Sequence, residues 1–176
     1  MATEVNIKWF PRDNPEVWKG VDQDTGGELQ LQRHADRTWI LTADVLGDGC
    51  RSAGETYEVV HAQEIAERLY ALALALQGCQ SRLSWRAYCD TEHGPLYYYL
   101  NADAPGGARV GCYPWRDGQV HVHLVYQAAD LGHEPPDHEK VVNAANLVDA
   151  VPLAERLVDE WMARSDQATK TPLARC

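Results

Sequence analysis

Short segments with alternating apolar and polar residues, separated by turn residues, dominate this chain and constrain its fold most. They span residues 5–9, 28–34, 37–45, 83–89, 96–101, 110–115 and 119–126. Alternation with a period of two places successive side chains on opposite faces of a sheet, so each segment is predicted to be a strand. Asp117-Gly118, between the last two segments, is a strong signal for a tight hairpin and favours antiparallel pairing.

Two stretches follow a helical period instead. The first stripe consists of Ile65, Leu69, Leu72 and Leu76, and the second of Leu153, Leu157 and Trp161. Gly78 is placed for a left-handed cap after the first helix, and Pro152 for the first turn of the second. Residues 14–16 (NPE) predict a further, short helix. The sequence predicts an α+β fold, with two main amphipathic helices packed on one face of a largely antiparallel sheet of six to eight strands.

The two halves of the chain echo each other. Residues 65–69 (IAERL) recur as residues 153–157 (LAERL), 153 − 65 = 88 positions later. Residues 59–62 resemble 141–144, and residues 43–47 resemble 128–132. These echoes suggest a β-β-β-α internal duplication with pseudo-halves 1–80 and 81–165 inside a single domain of residues 1–165. Chance is the alternative, because Ala, Glu, Arg and Leu are common in amphipathic helices. Residues 166–176 are expected to form a flexible tail.

Charge and cysteine content narrow the functional classes. The formal net charge of −10 argues against binding to nucleic acid and favours a basic partner, with an acidic DNA mimic as an alternative interpretation. The N-terminus lacks the apolar segment of a signal peptide, and the longest apolar run, residues 69–76, is too short to span a bilayer. The five cysteines form no CxxC pair. We therefore expect a soluble, cytoplasmic protein with free thiols and no membrane contact.

The hairpin at Asp117-Gly118 allows faces to be assigned. A two-residue loop would place Cys112 opposite His123, a pairing that resembles a thiolate and its imidazole base but lacks a local oxyanion hole. It predicts a core face with Tyr113, Trp115, Val120, Val122, Leu124 and Tyr126. His121 and His123 would then point outward.

An outward face rich in aromatic and basic residues is the main functional signal. We expect it to contain Arg86, Tyr88, Tyr97, Tyr99, His121 and His123. Tyrosine and arginine concentrate binding energy at protein interfaces, so these residues are candidate partner-binding residues. Alternatively, the N-terminal segment or a loop covers this face and makes it a second core.

A metal site is the other hypothesis. His121 and His123 lie on one strand face, and His133, Glu134, His138 or Glu139 could complete a ligand set. A His-x-His pair alone is a weak signal, so we expect no metal or other cofactor, with His121 and His123 as the candidates if one binds. The chain lacks GxGxxG, Walker, GxSxG and HExxH motifs.

The sequence favours a non-catalytic, acidic protein-binding module over an enzyme. Its most specific form is an inhibitor or immunity-type protein that neutralises a basic partner, and a homodimer through the same face is a close variant. The alternative is a small metal- or ligand-binding, enzyme-like domain centred on His121 and His123, with Arg86 nearby.

Overall fold

The computed structural model describes residues 4–34, 37–47, 50–56, 58–90, 97–115, 119–126 and 138–170. In chain order the elements are β1 (Ile7–Pro11), β2 (Val17–Asp22), β3 (Glu28–Arg33), β4 (Thr38–Ala43), β5 (Cys50–Glu55), α1 (Val59–Gln77), β6 (Arg86–Asp90), β7 (Tyr97–Ala104), β8 (Ala108–Pro114), β9 (Gln119–Tyr126), β10 (His138–Asn143) and α2 (Leu147–Lys170). Five strands followed by one helix therefore occur twice.

The strands form two antiparallel sheets of five, in the orders β1-β2-β3-β4-β5 and β10-β9-β8-β7-β6. The α+β class is as predicted, but the single sheet of six to eight strands is wrong, and the predicted β-β-β-α repeat has too few strands. β2, β5 and β10 were missed because they lack clear alternation. The Asn14 side-chain oxygen accepts a hydrogen bond from the Glu16 amide at 2.9 Å in a turn before β2. This segment therefore forms a turn, and the short helix predicted there is wrong.

Two compact units make up the chain, one of residues 1–80 with 86–100 and one of residues 81–85 with 101–176. In the first unit α1 packs against β3, β4, β5 and β6. Leu31, Leu41 and Leu69 are completely buried between this helix and the strands. Burial of each such side chain contributes about 1.5–3 kcal/mol. Gly78 has a right-handed conformation (φ −77°), so the left-handed cap predicted there is wrong.

In the second unit α2 packs against β8, β9 and β10. The helix begins at Leu147, where the Asp149 amide donates to Asn146 Oδ1 at 3.0 Å in an N-cap. Pro152 therefore lies inside the helix rather than in its first turn, where it was predicted. The helix continues to Lys170, past the start of the predicted tail, and residues 171–176 lie outside the described residues. Of the helices in the described part of the chain, neither has the apolar length needed to traverse a bilayer.

A buried carboxylate ties residues 81–85 to α2. Glu155 accepts hydrogen bonds from the Ser81 hydroxyl, from the amides of Arg82 and Leu83, and from Trp85 Nε1 at 3.1 Å. Burial alone would raise the pKa of Glu155, but these hydrogen bonds outweigh it, and the pKa lies below its ordinary value. The ionised glutamate therefore stabilises the folded chain.

We expect Glu155→Gln to lower the free energy of unfolding by about 1–3 kcal/mol at neutral pH, because buried donors lose a charged acceptor. A carboxyl with a depressed folded pKa stabilises above its unfolded pKa, and this stabilisation is lost as pH falls through the folded pKa. The difference in free energy of unfolding between the variant and wild type should therefore become smaller below pH 4.5, the ordinary pKa of a glutamate. Urea unfolding at several pH values measures this. Glu160→Gln, on the same helix and exposed, is the control, and equal effects of the two variants would contradict the assignment.

Candidate functional site

The register between β8 and β9 decides which side chains share a face. Tyr113 pairs with His121 and Gly111 with His123, and the Trp115 amide donates to the Gln119 carbonyl at 2.7 Å. Three residues, 116–118, thus separate the paired positions, and they lie outside the described residues. The predicted two-residue loop is one residue too short. Because a one-residue slip turns every side chain of a strand to the other face, the faces assigned to β8 from the sequence are wrong.

Cys112 consequently lies in the core and not beside His123. It pairs with Val122 and is completely buried, and burial raises the pKa of its thiol to about 12. A thiol with so high a pKa stays protonated, so Cys112 is unsuited to nucleophilic chemistry. Tyr113 and Trp115 move instead to the face that carries the histidines, and Trp115 is 57% exposed.

β10 contributes a carboxylate to the same face. Glu139 pairs with His123 in the sheet register, and Val141 pairs with His121. His123 Nε2 lies 3.1 Å from Glu139 Oε1, and His121 Nδ1 contacts the same oxygen. All three ligand atoms lie within 4.8 Å of one another. The hydrogen bond from His121 is the largest cause that holds the pKa of Glu139 below its ordinary value.

Two aromatic rings of β8 flank the histidines. The Tyr113 ring meets His123 edge-on with centroids 5.4 Å apart, and the Trp115 ring lies 4.4 Å from that of His121. The Tyr113 hydroxyl donates to Asn101 Oδ1 at 3.4 Å. Gly111 leaves room for this arrangement, because a Cβ there would lie 2.5 Å from Tyr113 Cε2. Each imidazole is thus held between an aromatic ring and the Glu139 carboxylate.

Apolar side chains complete this surface, which we call the histidine face. Its residues are Tyr113, Trp115, His121, His123, Val125, Glu139 and Val141. Val125 and Val141 are each 44% exposed. Exposed aliphatic and aromatic surface beside a polar cluster is typical of binding sites.

The remaining predicted site residues belong to the first unit. The rings of Tyr88 and Tyr99 stack with centroids 5.5 Å apart, and Tyr97 lies 5.9 Å from Tyr99. We call these three the tyrosine group. Like Arg86, all three are half-buried. The structure therefore brings the tyrosines together within one unit, and His121 and His123 together within the other.

Of the four residues suggested as further metal ligands, the structure describes two, His138 and Glu139. The His138 ring stacks on Trp161 of α2 with centroids 5.5 Å apart, which places it on the opposite face of β10. His133 and Glu134 lie outside the described residues. Of the two described candidates, Glu139 joins the histidines. Its role, like those of Tyr113 and Trp115, depends on strand register, which local sequence patterns signal only weakly.

Comparison with known proteins gives no match: no family model, no curated protein and no solved structure resembles this chain.

We expect Gly111→Ala to displace the Tyr113 ring, because the added Cβ would lie within 2.7 Å of Tyr113 and Asn101 atoms. The lost aromatic contact should lower the free energy of unfolding by about 1 kcal/mol and shift the NMR signals of the His123 ring. Gly78→Ala is the control, since Gly78 is right-handed and a Cβ there meets only the Ala75 carbonyl at 3.5 Å. Unchanged His123 signals in Gly111→Ala would contradict this account of the packing.

Proposed function

We propose that the chain is a non-catalytic, acidic protein-binding module that uses the histidine face, most specifically an inhibitor or immunity-type protein. One observation carries the proposal: Trp115, Val125 and Val141 are three of the five large apolar side chains that are exposed among the described residues. All three lie on the histidine face, next to residues of types that anchor protein interfaces.

The first unit supports the assignment by contrast. The exposed positions of β3 and β4 include Gln30, Gln32 and Thr42, and alternate residues of these strands are buried. These residues are polar, but the register also places Phe10 and Ile40 on the same face. Among the described residues, the outer face of these strands thus carries one large exposed apolar side chain, Phe10, whereas the histidine face carries three.

We also propose that the two halves arose by internal duplication of a five-strand, one-helix element. Trp9 Nε1 donates to Glu67 of α1 at 2.8 Å, and Trp85 Nε1 donates to Glu155 of α2 at 3.1 Å. Glu67 and Glu155 occupy the same position of the repeated IAERL and LAERL segments. β5 and β10 begin 138 − 50 = 88 residues apart, the same offset as these segments. The echo of residues 59–62 in 141–144 does not fit, since it pairs the start of α1 with β10.

Charge supports a basic partner. The net charge of −10 would steer a positively charged protein toward the chain, and the aromatic residues of the histidine face would then anchor it. A homodimer would bury the same apolar residues without this electrostatic gain. We keep Arg86 and the tyrosine group as candidate partner-binding residues of the first unit. Cys50, Cys89 and Cys112 are free thiols, which supports a reducing compartment such as the cytoplasm.

The test compares capture of proteins from the native lysate by wild type, Trp115→Ala and Phe10→Ala. Phe10 is the matched control, since it is 41% exposed and lies on β1. A genuine partner should be retained by Phe10→Ala and lost by Trp115→Ala. With the purified partner, Trp115→Ala should weaken affinity roughly 30-fold, or about 2 kcal/mol, and rising salt should weaken wild-type binding.

Thermal stability of Trp115→Ala should stay near wild type, because its side chain is largely exposed. An inhibitor role requires in addition that the captured partner lose its own activity when bound. Light scattering of the purified chain tests the dimer, which would replace the heterologous partner if Trp115→Ala converted a dimer to monomer. The proposal fails if no captured protein distinguishes the two variants.

A further inference from the structure

We propose that His121, His123 and Glu139 form a binding site for a divalent transition-metal ion of the zinc class. This inference goes beyond the proposed protein-binding function and does not depend on it. The sequence alone did not favour a metal, because His121 and His123 offer only two ligands. β10 supplies the third.

The donor set matches this class of ion. Two imidazole nitrogens and one carboxylate oxygen are ligands that zinc and neighbouring divalent metals prefer. Tetrahedral zinc with bonds of about 2.0–2.1 Å places its ligand atoms about 3.3 Å apart. His123 Nε2 already lies 3.1 Å from Glu139 Oε1, and the three donor atoms span at most 4.8 Å. Side-chain rotations would suffice to close the site around an ion.

The ligands come from a rigid part of the fold. His121 and His123 lie two residues apart on β9, which pairs with β8 on one side and β10 on the other. Glu139 of β10 lies directly across from His123. Tyr113 and Trp115 restrict the imidazole rings from the β8 side, and the His121 side chain is only 18% exposed. Such packing lowers the entropy that the ligands lose when they bind an ion.

Three protein ligands leave coordination positions open to water or to another donor. The site also faces outward, since Glu139 is exposed. An ion can therefore enter from solvent without opening the fold.

A metal-free arrangement is the competing explanation. In it, one carboxylate oxygen of Glu139 simply accepts hydrogen bonds from both imidazoles. The two explanations differ in an experiment, because only a metal site would bind one zinc ion per chain through all three of these side chains.

The experiment is calorimetric titration of zinc into the metal-free, untagged chain of 176 residues. Wild type should bind one zinc ion per chain with micromolar or tighter affinity. His121→Gln, His123→Gln and Glu139→Gln should each weaken binding by about 10-fold or more. His61→Gln is the matched control, because His61 also lies near a carboxylate, 3.6 Å from Glu64, but outside the cluster; it should bind as wild type does.

Cobalt substitution keeps the test decisive if a variant unfolds or a cysteine competes. Wild-type chain with cobalt should show the visible absorption of a site with nitrogen and oxygen ligands, without a thiolate charge-transfer band, and zinc should displace it. The proposal is overturned if wild type binds no stoichiometric zinc, if the three variants bind like His61→Gln, or if a thiolate band dominates. None of these readouts involves a protein partner, so failure here leaves the protein-binding proposal standing.

Discussion

The packing of one helix against one face of the strands in each unit is the constraint on which the rest of the structure depends. A helix covers one face of the strands and leaves the other face in contact with water. The residues of that outer face must therefore be compatible with solvent. The Trp–Glu hydrogen bonds, Trp9 to Glu67 and Trp85 to Glu155, fix where each helix lies within its unit. Glu67 lies two residues before the buried Leu69, and Glu155 lies two residues before the buried Leu157. Polar and apolar contacts therefore hold the same turn of each helix.

Sequence patterns were sufficient for the elements with strong periodicity. The stripe that includes Ile65 and Leu69 gave α1, and alternation gave β3, β4 and β9 with nearly the observed bounds. The elements that were missed lack such a signal: β5 has the sequence CRSAGE, with no β-branched or aromatic residue, and is held as a strand by pairing with β4. In these segments tertiary pairing outweighs local propensity, which a single sequence does not report. The number of strands was therefore underestimated while the fold class was correct.

The site shows the same limit more sharply, because it depends on register. The outward direction of His121 and His123 followed from alternation within β9 alone and needed no partner strand. The neighbours of these histidines could not be predicted in this way, since the hairpin loop is one residue longer than Asp117-Gly118 suggests. A three-residue loop with glycine is also common in hairpins. The additional loop residue shifts the register, so that Tyr113 rather than Cys112 lies on the histidine face. The position of Glu139 was even harder to predict from the sequence. A long connection joins β9 to β10, and its length carries no information on the register between them.

The two proposals for the histidine face constrain each other through charge. Without an ion, the centre of the face has the negative charge of Glu139 between two imidazoles, which suits a cationic side chain of a basic partner. A bound divalent ion would reverse the sign of this centre and would favour a carboxylate or another anionic donor at its open position. Ion and partner are then linked thermodynamically: whichever factor the ion contributes to partner affinity, the partner contributes equally to ion affinity. Trp115, Val125 and Val141 surround the centre and remain apolar in either state. Under these proposals the apolar rim would supply binding area irrespective of occupancy, whereas the His–Glu centre would select the charge of what binds there.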